Sequence, residues 1–359
     1  MDPKKKYPFP SNHRSDWLKA ARKELGDKDP ISELSKTAQG LRIRPYYDSE
    51  DLTFAVSEPL PAATDGFGGA RAWVNAPLVV VQDEITANKL ALAHLNTGAD
   101  GILFEVAAEV DLSKLLKDIQ LTSCSIFFNN SKANFQATLA KWLKADKVDQ
   151  TGLKGAIFTE KFTPPESVSF YTGTPGFFAA GIKISKASPE DELYCAISAV
   201  IQHLLPVADV RVAEGLFNKM AFQFPIGTDF FIEIAKLKGF RVLWERLMAA
   251  YGMDESIRPY IHAVSEPWAN EKFEPNANML KGTTASMAAV LGGADALTSI
   301  EDAGHPFKSR IARNVSSVLR EESRLGLVSD PTAGAFFLES VIHQLSETVW
   351  GRLVKDFTS

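Results

Sequence analysis

The chain is poor in cysteine and carries no basic excess. Its 359 residues include two cysteines, Cys124 and Cys195. Two cannot build a disulfide framework or a cysteine-rich metal site. Both sit in apolar surroundings, as buried free thiols of a reducing compartment do. Lys and Arg number 39 against 44 Asp and Glu, a net charge of −5. That excludes a global drive toward nucleic acid or an anionic membrane, because phosphate recognition needs concentrated positive charge. The basic run Lys4-Lys5-Lys6 reads as a solvated tail. No apolar run reaches transmembrane length. The N-terminus, with Pro3, Pro8 and Pro10, lacks the apolar core of a signal peptide. A cytoplasmic chain with no nucleic-acid or membrane partner is expected.

Several catalytic signatures are also missing. No pair among the six histidines has the i, i+4 spacing around a Glu that a zinc protease uses. There is no nucleophile elbow, no phosphate-binding Gly-x-x-x-x-Gly-Lys loop and no dinucleotide fingerprint after an early strand. No resident metal is expected.

What is present is a rhythm. Apolar, β-branched-rich runs recur at 77–82, 101–106, 124–129, 155–160, 176–184, 220–226, 259–265 and 296–300. Helical patterns separate them. Ile85, Leu90, Leu92 and Leu95 mark one helical face, stopped by Gly98. Leu112, Leu115, Leu116 and Ile119 mark another. Asp191–Leu205 and Phe230–Tyr251 are longer, the latter with Glu233, Lys236, Lys238 and Arg241 as a polar side. About eight strand–helix units in about 300 residues predict a closed (β/α)8 TIM barrel, an α/β fold, over 70–359. An open doubly wound sheet is the alternative. Residues 1–69 read as an arm and linker, with a helix over 15–25 and an extended stretch over 40–47.

In such barrels function sits at the C-terminal ends of the strands. The polar residues there are Gln82, Asp83, Glu105, Asn129, Asn130, Glu160, Lys183, Gln223 and His262. They could form an acid–base constellation, or they could be polar because strand ends meet water. His262 could equally be a buried, hydrogen-bonded histidine or a pocket-lining one.

The last third adds a succession of motifs. Ile257-Arg258-Pro259-Tyr260-Ile261-His262-Ala263-Val264-Ser265 precedes Asn276-Ala277-Asn278-Met279-Leu280-Lys281-Gly282-Thr283-Thr284. Then follow Ala288-Ala289-Val290-Leu291-Gly292-Gly293-Ala294-Asp295, Ser309-Arg310-Ile311-Ala312-Arg313-Asn314 and Val328-Ser329-Asp330-Pro331-Thr332-Ala333-Gly334. This order resembles the substrate barrel of the adenosylcobalamin-dependent acyl-CoA mutases, above all methylmalonyl-CoA mutase. The arm resembles it too, through Trp17 and Leu41-Arg42-Ile43-Arg44-Pro45-Tyr46-Tyr47.

The resemblance implies a barrel that holds an acyl-CoA along its axis under a cobalamin carried by a separate flavodoxin-like domain. This sequence departs from it. The Asp-x-His-x-x-Gly motif that supplies the lower cobalt ligand does not occur, so no flavodoxin-like cobalamin domain and no bound cofactor are expected here. The family's catalytic Tyr-His pair aligns with Ala180 and Gly181, which donate no side-chain hydrogen bond. Glu160 stands near where a carboxylate-binding Arg strand would end, and would repel a carboxylate. His262, Asn278, Arg313 and Asn314 match patterned positions and are vestigial substrate-side candidates; no residue is expected to be catalytic. The chain therefore resembles the small (beta) subunit of a heterodimeric mutase. The resemblance implies a homologous catalytic large subunit as partner, which binds adenosylcobalamin and interconverts methylmalonyl-CoA and succinyl-CoA. A second reading makes the chain the catalytic acyl-CoA-binding subunit of a split mutase that uses a separate cobalamin-binding chain. The first reading predicts an axial pore filled by side chains such as Phe127, Phe158, Phe177 and Phe222; the second predicts an open, polar one.

Overall fold

Nine short strands hydrogen-bond side by side, all parallel, in a computed structural model of the chain. The structure describes residues 13–54, 56–61, 70–130, 134–161, 173–204, 210–254, 256–266, 277–300 and 306–357. An arm comes first: α1 (Arg14–Glu24), α2 (Pro30–Leu34) and a hairpin of β1 (Lys36–Ala38) and β2 (Leu41–Ile43). Arg14 holds the arm together by pairing with Asp48 at 2.6 Å and Asp51 at 2.5 Å. Trp17 stacks on Tyr46 with ring centroids 5.1 Å apart.

The sheet runs from β3 (Val74–Asn75) to β4 (Leu78–Val80). Between them stand β11 (Ala296–Thr298), β10 (Tyr260–Ser265), β9 (Met220–Ile226), β8 (Phe177–Lys183), β7 (Lys154–Thr159), β6 (Ser125–Asn130) and β5 (Gly101–Val106). The two edges are one stretch of chain. Val74 and Asn75 pair with β11, whereas Leu78, Val79 and Val80 pair with β5. Between them the Ala76 amide donates to Leu297 O at 2.9 Å, and Pro77 O accepts from Leu103 N at 3.0 Å. Proline lacks an amide donor, so it interrupts the ladder without ending the strand. The ring therefore closes on eight staves, as the strand–helix rhythm predicts.

Around it stand α3 (Glu84–Leu95), α4 (Leu112–Leu115), α5 (Phe135–Ala145), α6 (Pro189–Leu204), α7 (Val210–Phe217), α8 (Phe230–Tyr251), α9 (Ala277–Leu291), α10 (Pro306–Ser317) and α11 (Phe336–Phe357). No helix among the described residues is long and apolar enough to cross a membrane. No second sheet of doubly wound type occurs among them.

Two helical faces differ from the periodicity reading. In α3, Ile85 and Leu90 are exposed, at 53% and 45%, while Ala87, Asn88, Ala91 and His94 are buried. Small residues bring this helix close to the barrel, and Asn88 donates to Leu115 O and Lys117 O at 2.8 Å. In α8 the polar side is not a wet side. Glu233, Lys236, Lys238 and Arg241 are all buried. α6, α9 and α11 all pack on this helix, so its charges pair inside the protein.

The apolar residues form two separate clusters. The larger lies between the strands and the helices. The smaller lies inside the barrel and includes Leu103, Phe127, Ala156 and Phe158, with Phe178 and Tyr260 against it. Successive strand residues point to opposite faces. That alternation sorts the four phenylalanines expected in the pore. Phe127 and Phe158 point inward. Phe177 and Phe222 point outward, Phe222 against Phe240 at 4.7 Å and Trp244 at 5.6 Å.

Candidate functional site: the barrel axis and its two ends

The mouth at the C-terminal ends of the strands is closed by a polar layer. Gln223 on β9 donates Nε2 to Asn129 Oδ1 at 2.9 Å. Asn129 on β6 donates Nδ2 to Glu105 Oε2 at 2.8 Å. Lys183 on β8 stands 3.6 Å from the other Glu105 oxygen. Asn129 and Gln223 are buried, whereas Glu105 and Lys183 keep about a third of their side-chain surface. Four of the nine strand-end residues thus converge. The others do not join them. Asp83 caps α3 by accepting from Thr86 N at 2.7 Å, and these hydrogen bonds hold its carboxyl below the usual range. Glu160 and Gln82 are exposed. Asn130 is buried on the last position of β6.

Below this layer the axis is aromatic. Phe127 and Phe158 stack with centroids 6.4 Å apart. His262 meets Phe127 edge-on at 4.6 Å and Phe158 at 5.5 Å. Phe178 and Tyr260, 4.7 Å apart, form the floor near the strand starts. His262 is fully buried. Its Nε2 lies 2.8 Å from Thr298 Oγ1, and that hydroxyl spends its proton on Ala76 O at 2.6 Å. Nε2 therefore carries the ring proton and donates. Nδ1 is bare, buried and without a partner among the described residues. Burial pushes the imidazole pKa down to about 3, so the ring is neutral at physiological pH.

The two positions aligned with the family's Tyr-His pair lie on β8. Ala180 is buried in the outer core. Gly181 faces β7 so closely that a Cβ there would come 2.1 Å from Ile157 O and 2.8 Å from Phe158 Cδ1.

The remaining candidates lie apart. Arg313 is on α10, outside the barrel. Its Nη1 donates to Thr97 Oγ1 at 2.6 Å, beyond the C-terminus of α3, and its backbone carbonyl accepts from Asn75 Nδ2 at 3.1 Å. These contacts place it toward the N-terminal face. Asn314 beside it is exposed. Asn278 lies in the first turn of α9, and its side chain is outside the described residues. The structure does not bring Arg313 and Asn314 to His262.

Sequence reasoning missed that two charged groups are buried. Lys236, 1% exposed, pairs with Glu192 at 2.7 Å and Glu233 at 2.5 Å and donates to Pro225 O at 2.7 Å. Burial pushes the Glu192 carboxyl up to about 7 against the pull of Lys236. At the opposite, N-terminal face, a cleft of about 900 Å3 is lined by Trp73, Asp100, Tyr260 and Arg320, among others. A neighbouring cleft is lined by Arg71, Arg241 and Arg258. The signal in the sequence was slight: single arginines beside a glycine-rich stretch and inside an apolar helix. Among the described residues, no group of three His, Cys, Asp or Glu side chains is placed to hold a metal. Cys124 is a buried free thiol whose pKa burial pushes up to about 11; Cys195 is free and only half-buried.

The sequence profile of the methylmalonyl-CoA mutase family matches residues 181–355. The chain is 27% identical to the methylmalonyl-CoA mutase small subunit of Porphyromonas gingivalis, over 95% of this chain and 62% of that protein. It is 25% identical to the small subunit of Propionibacterium freudenreichii subsp. shermanii, over 95% of this chain and 61% of that one. With the small subunit of Streptomyces virginiae it shares 35% over 46% of this chain and 28% of that one. The chain thus spans less than two thirds of the length of the curated relatives it matches. The family profile over residues 181–355, and small-subunit relatives aligned along nearly the whole sequence at modest identity, make this chain similar to the methylmalonyl-CoA mutase family and to its small subunits in particular.

Proposed function

We propose that the chain is the barrel of a mutase small (beta) subunit that supports a homologous catalytic large subunit and does not itself rearrange acyl-CoA. The observation that carries this reading is the filled axis. Phe127, Phe158 and His262 pack ring against ring where an extended acyl chain would have to run. Interiors packed this way have no free volume to yield without displacing side chains. The mouth supports the same reading. Its described residues do not fit adenosylcobalamin, because Glu105, Asn129, Lys183 and Gln223 satisfy one another across the opening and offer no imidazole. No step of the reaction is assigned to them. In this reading the cofactor and the interconversion of methylmalonyl-CoA and succinyl-CoA belong to the partner, and the two proteins form a heterodimer. A cytoplasmic location belongs to the same reading, supported by the two free thiols.

The test is copurification of the tagged chain from its native host, partner identification by mass, and a mutase assay with adenosylcobalamin and methylmalonyl-CoA. A larger homologous chain should copurify, and this chain alone should give no turnover. Turnover by this chain supplied only with a small cobalamin-binding protein would overturn the proposal in favour of the split-mutase reading.

A further inference from the structure

Two loops that leave the mouth's polar layer run into one buried charge cluster. Lys183 ends β8, and the chain then turns through Ser188 into α6, whose first turn holds Glu192. Gln223 lies on β9, and the chain passes through Pro225 and Gly227 into α8, whose first turn holds Glu233. The loops are tied at their origin, where Ile184 N donates to Gln223 O at 2.9 Å. Lys236 joins their far ends. Its ammonium stands 2.7 Å from Glu192 Oε2 and 2.5 Å from Glu233 Oε2, and it donates to Pro225 O at 2.7 Å.

The cluster holds more negative charge than this ammonium balances. Oε2 of Glu192 and Oε2 of Glu233 accept no hydrogen bond among the described residues, so the pairing is coulombic. Glu266, exposed after β10, brings a third carboxylate. Its Oε2 and Glu233 Oε1 both border Gly227, 3.6 and 3.2 Å from where a Cβ there would stand. The neighbouring charges are spent elsewhere. Arg352 on α11 pairs with Asp191 at 2.9 Å and Glu190 at 3.6 Å, Asp356 accepts from Tyr194 at 2.7 Å, and Asp229 accepts from Gln39 of the arm at 3.0 Å. Two buried carboxylates on one buried ammonium are compatible with burial when one of them is neutral. Desolvation, with the charges of Glu233 and Glu266, raises the Glu192 carboxyl to about 7 against the pull of Lys236, so Glu192 is the one that keeps its proton.

We propose that Glu192, Glu233 and Lys236 form a proton-operated clamp on the barrel mouth. With Glu192 protonated, the starts of α6 and α8 are locked together. Loss of that proton to solvent, past Glu266, loosens the β8–α6 and β9–α8 loops and with them Lys183 and Gln223 of the polar layer. The clamp belongs to this chain alone and does not depend on the subunit reading above. The closed state binds the proton more tightly than an open state whose carboxyl has the ordinary value of 4.5. Closure is therefore strongest below pH 4.5, weakens as pH rises to about 7, and changes little beyond that.

The test is hydrogen exchange of the full chain from pH 5 to 8, with each amide's rate divided by its intrinsic rate. Local openings are read this way, apart from global unfolding. Amides at 184–192 and 226–233 should open more often by up to about tenfold per pH unit between pH 5 and 7, the slope of one released proton, and level off above 7. Amides at 101–104 and 125–128, on the far side of the ring, report global change and should not follow. Glu192→Gln, which fixes the neutral form, should make the two segments flat with pH and as protected as the unmodified chain is at its most acidic point. Glu266→Gln should move the levelling point to lower pH and shrink the total change, because it removes a charge that favours the proton; this variant decides if Glu192→Gln fails to fold. Segments that open equally at all pH values, that follow the control amides, or that keep the same pH dependence in the variants overturn the proposal.

Discussion

The ring of Phe158 occupies the space that a side chain on Gly181 would need. A Cβ on Gly181 would come 2.8 Å from Phe158 Cδ1 and 2.1 Å from the Ile157 carbonyl oxygen of the same strand. The second contact is the stronger constraint, because it is with backbone. The ladder between β7 and β8 is already irregular here, shifting register between Ala156 and Phe158.

Gly181→Ala should therefore destabilise the chain by about 2 kcal/mol or more, at the upper part of the range for forced overpacking. Urea unfolding measures it. Phe158→Ala should not rescue the loss in a double variant, because Ile157 O remains in the way. Rescue by Phe158→Ala would show that the ring, and not the strand, is the obstacle. By the same geometry Gly181→His cannot restore a hydrogen-bonding group to this barrel.

Lys236 balances two buried carboxylates, Glu192 and Glu233. Lys236→Met leaves both without their cation, and breaking a buried pair from one side costs about 3–5 kcal/mol. The triple replacement Glu192→Gln, Glu233→Gln, Lys236→Met should recover most of that loss, since it removes charge on both sides. A triple variant as unstable as Lys236→Met would mean that the lysine acts through packing.

The pH dependence of stability has two opposed contributions. Burial holds His262 at about 3, and burial with the Arg313 charge holds His94 at about 4, both below the ordinary 6.5. Each folded-state value is depressed, so the unfolded chain binds these two protons first. Stability from both is complete above pH 6.5 and falls as pH drops below it. Glu192 runs the other way. Its folded value, raised to about 7 from 4.5, adds stability as pH falls from 7 toward 4.5. Between pH 6.5 and 4.5 the balance is two protons against one, a loss of about 1.4 kcal/mol per pH unit. Glu192→Gln removes the compensation and should roughly double that slope. His262→Gln should leave it nearly flat. Urea midpoints across this window check both, and equal slopes in the three chains would rule the assignment out.

The barrel was legible because strands buried on both faces read as short apolar runs, and their spacing fixes the number of staves. Closure on eight staves followed from the same count, but how the ring closes did not, because it depends on Pro77 dividing one strand between two neighbours. Of the strand-end residues, Glu105, Asn129, Lys183 and Gln223 were found by position alone. Which phenylalanines face inward depends on strand register, and a one-residue difference sends Phe177 outward and Phe178 inward. The charged side of α8 misled for a physical reason. A periodic charge pattern marks a polar face, and only packing says whether water or a buried partner satisfies it. Arg71 left no periodic trace, since its burial is made by arm and loop contacts far away in sequence.

The aromatic fill and the bare His262 nitrogen make one coupled prediction. Phe158 is fully buried, so Phe158→Ala should cost about 3–5 kcal/mol through lost transfer energy and the cavity left behind. An apolar cavity of that size stays dry, but this one would border the unpartnered Nδ1 of His262 and the polar layer of Asn129 and Gln223. Polar walls with acceptors to satisfy draw water in. A water donating to Nδ1 relieves the desolvation that depresses the imidazole, so its pKa should rise from about 3 toward 6.5. NMR titration of the ring protons reads this directly, with Phe158→Leu as a variant that fills most of the space and should leave the value low. If Phe158→Ala folds, loses the expected stability and still shows His262 near 3, then the histidine is held by its Thr298 contact and the surrounding rings alone, and the cavity is dry.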